Sequence, residues 1–260
     1  MPTAASINLC ADSLLLEVAA PAQIISLSWL ASDSGLSNYA ELARRYPSNR
    51  GRAEDLVAKR PDIVFIGPYS STIEQVLLKR LGIKVVQLLS DESIDNYIQN
   101  LQLVGETLER RDVSNALIAR LHENIPPTPS GIDSEEAATA IIFQANGYTP
   151  GRQSLAGDLL RRAGLQYMAS EVTDWHQGRF VSLEELLVQQ PEVIIFTNLN
   201  ADKPALADVY LKHPVLSRAL SHNKLDWHPR IIRLQERHLN CGSLSVIDTL
   251  MAMSNAMYAR

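Results

Sequence analysis

Cysteine, aromatics, long apolar runs and an excess of positive charge are all scarce in this chain, and each scarcity removes a class of function. Two cysteines, Cys10 and Cys241, stand near opposite ends of the 260 residues. In an oxidising compartment they can form one disulfide closing a very long loop; otherwise they are two unpaired thiols. The six histidines show neither His-Glu-x-x-His nor a Cys/His ligand spacing, so no metal centre is expected. A net charge of −5 argues against a nucleic-acid partner, whose phosphates favour a basic surface. No apolar run approaches the roughly 20 residues that span a bilayer. The opening "MPTAASINLC" lacks the basic and apolar regions of a signal peptide. Either the protein is cytoplasmic, or this is a mature form with a start Met restored. P-loops, G-x-G-x-x-G turns and G-x-S-x-G elbows are also missing, which weighs against an enzyme. Only 6% of residues are aromatic, so the few in loops carry more information than usual.

What is present is a repeated phrase. "EDLVAKRPDIVFIG" (54–67) and "EELLVQQPEVIIFT" (184–197) align without a gap, matching Glu54 with Glu184, Leu56 with Leu186 and Pro61 with Pro191. Each reads as a short helix stopped by proline, then a buried strand. Around them the chain alternates short branched runs with helical patterns: "QIISLS", then "DIVFIG", the helix "STIEQVLLKRLG" with Gly82 as its cap, and "IKVVQLL". Continuous rather than alternating apolar runs fit a parallel sheet covered on both faces, and the strand–helix order predicts an α/β layer fold. Residues 93–124 read as helical, and "PPTPSGIDS" is the best linker boundary. The second half restarts with "ATAIIFQ", the helix "SLAGDLLRRAG", a loop around "TDWHQGR", the repeated phrase, a helical "HPVLSRAL" and the strand "RIIRL". The expected organisation is an α/β lobe over 1–108, a helical bridge and linker over 109–136, and a second α/β lobe over 137–260.

Taken together, "NRGRAEDLVAKRPDIVFIG", "LLKRLGIKVVQLL", "SIDNYIQNLQLVGETL", "GRFVSLEELLVQQPEVIIF" and "RIIRLQERHLNCGSLSVIDTLMAM" resemble one family. It is that of the substrate-binding proteins of ABC importers for cobalamin, ferric siderophores and haem. The resemblance implies two Rossmann-like lobes joined by a bridging helix, with the ligand in the cleft between them. It further implies a periplasmic monomer without catalytic activity or intrinsic cofactor, whose partners are a small metal chelate and the importer's membrane subunits. One departure stands out: Pro126-Pro127 should stop the bridging helix near Ile125, where the family's helix runs on.

Candidate ligand residues follow from loops after strands, where open α/β sheets bind ligands. In "NLCADS", Asp12 or Ser13 is expected to cap the following helix. Trp29 follows "QIISLS" and either stacks on a flat ligand or pins its loop. Arg50 and Arg52 precede the repeated helix; siderophore-binding relatives carry an arginine there, whose fork suits anionic chelating oxygens. Tyr69 follows "DIVFIG", where a hydroxamate-binding relative has a tyrosine. In the second half the candidates are Tyr148, Arg152, Trp175, His176 and Arg179, with Glu236, Arg237 and His238 after the last long strand. Trp175 matches an aromatic that packs on the ligand in cobalamin-binding relatives. Axial ligation of haem by Tyr69 or His176 is a further reading, and His176 with His238 and a carboxylate would suit a free divalent metal. Glu54 and Glu184 match the surface glutamates that dock the cobalamin-binding relative to its importer; locally, each also suits the first turn of a helix. The rival class is a two-domain enzyme with an interdomain site, for which "CGS" at Cys241 to Ser243 offers a thiol nucleophile or, more simply, the turn before the last helix.

Overall fold

Ile63 to Ile66 are almost wholly removed from solvent, which a strand achieves only when both faces of its sheet are covered. That four-residue run sits in the middle of the first of two compact units. The computed structural model describes residues 1–130, 137–168, 178–198 and 227–258. It divides into Met1–Asn124 with Asn240–Ser245, and Ile125–Leu239 with Val246–Arg260.

The first unit contains β1 (Ala4–Ser6), β2 (Ile24–Ser28), β3 (Ser48–Asn49), β4 (Ile63–Ile66) and β5 (Lys84–Gln87). They form one parallel sheet in the order β3-β2-β1-β4-β5. Its helices are α1 (Leu9–Val18), α2 (Ala40–Ala43), α3 (Glu54–Val57), α4 (Thr72–Arg80), α5 (Ile94–Thr107) and α6 (Arg111–Asn124). Ala5, Val64 and Ile66 from the sheet pack with Ala53, Leu56 and Leu78 in one core cluster. Helix α6 ends at Asn124, two residues before Pro126-Pro127, as the missing proline N–H groups require.

The second unit begins its sheet at β6 (Thr139–Phe143) and continues with β7 (Tyr148–Thr149), β8 (Gln166–Tyr167), β9 (Arg179–Phe180), β10 (Val193–Asn198) and β11 (Arg230–Gln235). Strands β11-β10-β6-β8 are parallel, and β7 with β9 makes a separate antiparallel ribbon. Its described helices include α7 (Leu155–Arg162) and α8 (Leu183–Gln189); α9 (Arg237–Asn240) and α10 (Ser245–Tyr258) follow late in the chain. The expected "HPVLSRAL" helix lies outside the described residues, as do parts of the "TDWHQGR" loop and of the "PPTPSGIDS" linker.

The repeated phrase is one structural unit built twice. Leu56 and Leu186 are fully buried, and each accepts a backbone hydrogen bond four residues on, from Arg60 (2.9 Å) and Gln190 (3.0 Å). Both donors have left-handed backbone, φ 43° and 48°, so the chain turns out of the helix just before each proline. Helix α3 is therefore shorter than the text "AEDLVAKR" predicts: the left-handed turn, not the proline alone, ends it. The acid after each proline has a partner too. Asp62 Oδ2 accepts from the Thr3 backbone N–H at 2.7 Å, and the Asp62 N–H donates to Thr3 Oγ1 at 3.1 Å. Glu192 Oε2 accepts from the Thr139 N–H at 2.9 Å and the Glu192 N–H donates to Thr139 Oγ1 at 3.2 Å. Each acid thus ties the start of a central strand, β4 or β10, to its parallel neighbour, β1 or β6.

Gly82 and Gly164 close α4 and α7 in the same way. Both have positive φ, 75° and 83°. After α4, Gly82 N–H reaches Lys79 O and Ile83 N–H reaches Leu78 O; after α7, Gly164 reaches Arg161 O and Leu165 reaches Leu160 O. This is the left-handed cap that glycine fills without steric cost. Neither Cβ would touch another atom, so backbone strain is the whole effect. Gly82→Ala and Gly164→Ala are each expected to cost about 1 kcal/mol, additive in the double variant because the sites share no partners. Urea titration measures both.

Candidate functional site

Because every strand of the first sheet runs the same way, the loops after β1, β2, β3, β4 and β5 emerge at one edge. Trp29 opens a short 3₁₀ turn (Trp29–Ser32) directly after β2 and is 55% exposed. Arg50 and Arg52 follow β3, and both are exposed. The Arg50 backbone N–H donates to Asp55 Oδ2 at 2.7 Å, which fixes the loop while leaving the side chain outward. Tyr69 follows β4 and is 85% exposed, an unusual state for an aromatic.

What holds these loops is a buried polar layer that the sequence did not advertise. Asn49, at the end of β3, donates from Nδ2 to Ser6 O (2.9 Å), Ser26 Oγ (3.1 Å) and Leu27 O (2.9 Å), and its Oδ1 accepts from the Gly51 N–H (2.9 Å). One amide therefore stitches β1, β2 and the arginine loop together. Asp12 does not cap α1, as the sequence suggested. Asn8 does, its Oδ1 accepting from the Cys10 and Ala11 N–H groups at 3.0 and 3.1 Å. The helix starts earlier than expected, so Asp12 points inward, accepting from the hydroxyls of Ser6 and Ser28 and from the Ser28 N–H at 2.8 Å. Burial pushes its carboxyl up to about 6, against the pull of those hydrogen bonds.

A cavity of about 190 Å³ opens beside Tyr69, lined also by Asn8, Cys10, Leu88, Asp91 and Asn240. Cys10 and Cys241 are bonded to one another, which settles the two alternatives the sequence left open and removes Cys241 as a thiol nucleophile. The residues after it, Ser243 to Ser245, form the turn into α10, with Asn38 Nδ2 donating to Ser245 Oγ at 2.8 Å. Deeper in the unit, Glu17 accepts from the hydroxyls of Tyr39 and Tyr97 (2.6 Å for Tyr97) and from the Leu244 N–H at 2.8 Å. Burial raises the Glu17 carboxyl, opposed by those donors.

In the second unit, Tyr148 lies on β7 and meets Phe180 of β9 edge to face, ring centroids 5.6 Å apart. Arg152 is half-buried in the turn before α7. The Arg179 guanidinium forks onto the Glu185 carboxylate, with Nη1 to Oε2 at 2.8 Å. That pairing, chiefly its hydrogen bonds, raises the arginine and lowers the glutamate from their usual values. The charge of Arg179 is thus answered locally. Arg237 and His238 begin α9, immediately after Glu236 and β11. Burial, then the neighbouring Arg237, holds the His238 imidazole below its ordinary value, while burial raises the Glu236 carboxyl. Trp175 and His176 lie outside the described residues. Glu54 and Glu184 are both exposed, in the first turns of α3 and α8.

A parallel α/β sheet whose carboxyl edge carries exposed aromatics and arginines, Trp29, Arg50, Arg52 and Tyr69, suits a ligand-binding class of protein. The model of the periplasmic binding protein family matches residues 5–225, and the chain belongs to that family. Members of the family are binding proteins rather than enzymes. A cobalamin-binding protein of Halobacterium salinarum is 20% identical over 79% of this chain and 55% of its own length. The chain therefore spans about half the length of the curated relatives it matches. Among solved structures, a periplasmic haem-binding protein of Pseudomonas aeruginosa superposes with a TM-score of 0.74 at 19% identity, covering 99% of this chain and 93% of that one. The periplasmic vitamin B12-binding protein BtuF of Vibrio cholerae gives 0.72 at 14% identity, covering 99% and 96%. These likenesses carry the fold. Among the described residues, no helix is long and apolar enough to cross a membrane.

Proposed function

We propose that this chain is the substrate-binding component of an ABC importer. It captures a metal chelate, a ferric siderophore or a cobalamin, outside the cytoplasmic membrane and delivers it to the permease without any catalytic step. The observation that carries this reading is the carboxyl edge of the first sheet, where Trp29, Arg50, Arg52 and Tyr69 stand exposed on loops held from beneath by buried hydrogen bonds. Flat aromatic faces and guanidinium forks together suit a large, flat or anionic chelate better than a bare cation. Haem is the second cargo in view, because an exposed phenol such as that of Tyr69 is a suitable axial oxygen ligand. Arg152, Trp175, His176, Arg237 and His238 remain candidates for the second unit's share of the contacts.

The test is a binding survey by absorbance and native mass with cobalamin, haemin and several ferric siderophores. One of them is expected to bind with a dissociation constant well below about 10 μM; failure of all to do so overturns the chelate reading. We further propose that Glu54 and Glu184 dock the carrier to the permease. Their shared place in the two copies of the repeat supports this, since a matched pair suits a transporter of two similar halves. The double variant Glu54→Ala/Glu184→Ala is expected to keep wild-type ligand affinity and lose importer-dependent uptake. Normal uptake would reject the docking role.

A further inference from the structure

The cavity beside Tyr69 has a wall that ligand binding does not explain. The Asp91 carboxylate and the sulfurs of Cys10 and Cys241 all lie within 4.8 Å of one another. With the sulfurs bonded to each other, the trio offers no thiolate to a metal. What it does offer is a proton beside a breakable bond. Asp91 Oδ1 is buried and has no hydrogen-bond partner, while the Asn100 amide bonds to the same carboxyl. Asn100 is itself held by the Leu89 backbone, N–H to Oδ1 at 2.9 Å and Nδ2 to O at 3.1 Å, so the carboxyl is presented on a fixed frame. Burial, with a smaller push from the Glu17 charge, raises this carboxyl to about 7. The titratable groups facing it from other elements are Glu17 on α1, Tyr97 on α5 and, across the cavity, Tyr69.

We infer that the Cys10–Cys241 disulfide is a thiol-exchange site, with Asp91 as its acid and a small external dithiol as its substrate. Cys10 lines the cavity, whereas Cys241 is only 5% exposed, so the incoming thiolate attacks Cys10 Sγ. The S–S bonding pair passes to Cys241 Sγ, and the Asp91 proton moves to that sulfur, leaving a Cys241 thiol and an Asp91 carboxylate. A buried leaving thiolate is otherwise costly, which is why the nearby proton matters. The second thiol of the reductant, as its thiolate, then attacks its own sulfur in the mixed disulfide. Cys10 leaves as thiolate and is protonated from solvent. Two electrons pass from the dithiol, which ends as a disulfide, to the protein, which ends with two thiols. The immediate result is to free the segment Asn240–Ser245 from its covalent tie to α1.

The experiment uses the full chain and dithiothreitol, quenching with iodoacetamide and counting alkylated thiols by mass between pH 5.5 and 8.5. Rates are divided by the dithiothreitol thiolate fraction. The wild-type quotient is expected to fall with rising pH through an inflection near 7, and Asp91→Asn to lower it about tenfold or more at pH 6 and erase the inflection. Asp91→Glu, which keeps an acid, should restore part of both. A wild-type quotient flat with pH, or an Asp91→Asn profile identical to wild type, overturns the proposal. So does a rate that saturates with dithiothreitol, since exchange would then wait on unfolding. If Asp91→Asn does not fold, the wild-type profile and its order in dithiothreitol decide alone. None of these readouts depends on which ligand the protein carries.

Discussion

Replacing Cys10 and Cys241 together by serine is expected to remove as much as about 5 kcal/mol of stability at 25 °C on the chain-entropy model of cross-linking. The size follows from the sequence separation of 231 residues, nearly the whole chain. A cross-link that long removes much of the freedom of the unfolded ensemble, and the gain grows with the logarithm of loop length. Cooperative contacts at the same place add to the effect. Cys241 belongs to the segment Asn240–Ser245, which joins the first unit through Leu244 N–H to Glu17 and through the seryl hydroxyls that meet Asn38. Without the bond, this segment can leave on its own, and Glu17 then loses a donor. Guanidinium titration of the oxidised wild type and the Cys10→Ser/Cys241→Ser variant measures the loss. A midpoint unchanged by the double substitution would show that residual structure already confines the unfolded chain.

Acidification is expected to stabilise the fold, the reverse of the common trend. Asp91 sits at about 7 and Asp12 at about 6, each raised from 3.8 by burial, and Glu17 is shifted in the same direction. Between the unfolded and folded values, the native state holds a proton that the unfolded chain has released. The stabilisation is therefore complete below pH 3.8 and is lost as pH rises through the folded values, to about 6 for Asp12 and about 7 for Asp91. Going from pH 7 to pH 5, Asp91 and Asp12 together should add about 4 kcal/mol, or roughly 10 °C in Tm. His238 works against this, because its value is depressed in the fold, so that below pH 6.5 the unfolded chain takes up a proton that the native state resists. Glu185, with a lowered value, loses its contribution only below 4.5, outside the window. Thermal melts at pH 5, 6, 7 and 8 test the sign, and Asp91→Asn should flatten most of the slope. A Tm that falls steadily from pH 7 to pH 5 would mean that these carboxyls are ionised and hydrated in the native state.

The parts of the fold that could be read in the text are those set by local pattern. Apolar runs such as Ile63–Ile66 and Val193–Phe196 have no polar face to spare, so they had to be doubly covered strands. Gly82 sat where a left-handed cap is needed, and the structure puts φ 75° there. Proline marked where α6 ends. What could not be read depends on partners distant in the chain. Asn49 carries no local signal of its role, for it bonds backbone or side chain of Ser6, Ser26 and Leu27, none adjacent to it in sequence. Asn8 and Asp12 are both good helix-capping residues, and only the position of β1 decides that Asn8 caps and Asp12 is buried. The β7–β9 ribbon escaped notice because its two-residue strands are too short to show a period. The candidate site divides in the same way. Tyr69 and Trp29 stood out as aromatics after strands, whereas Asp91 gains its raised value and its place beside the disulfide from α1, α5 and residue 241.

The first unit borrows six residues, Asn240–Ser245, from near the other end of the chain. A ribosome or an export channel releases this protein from its amino end, so residues 1–124 emerge with that place still empty. Cys10 waits as a free thiol and Glu17 lacks the Leu244 N–H until almost the entire polypeptide has appeared. The amino-terminal unit, although begun first, is thus completed only after nearly all of the second unit has emerged. For most of the time spent in synthesis or passage, the chain carries Cys10 as an unpaired thiol, open to whatever oxidant or chaperone it meets.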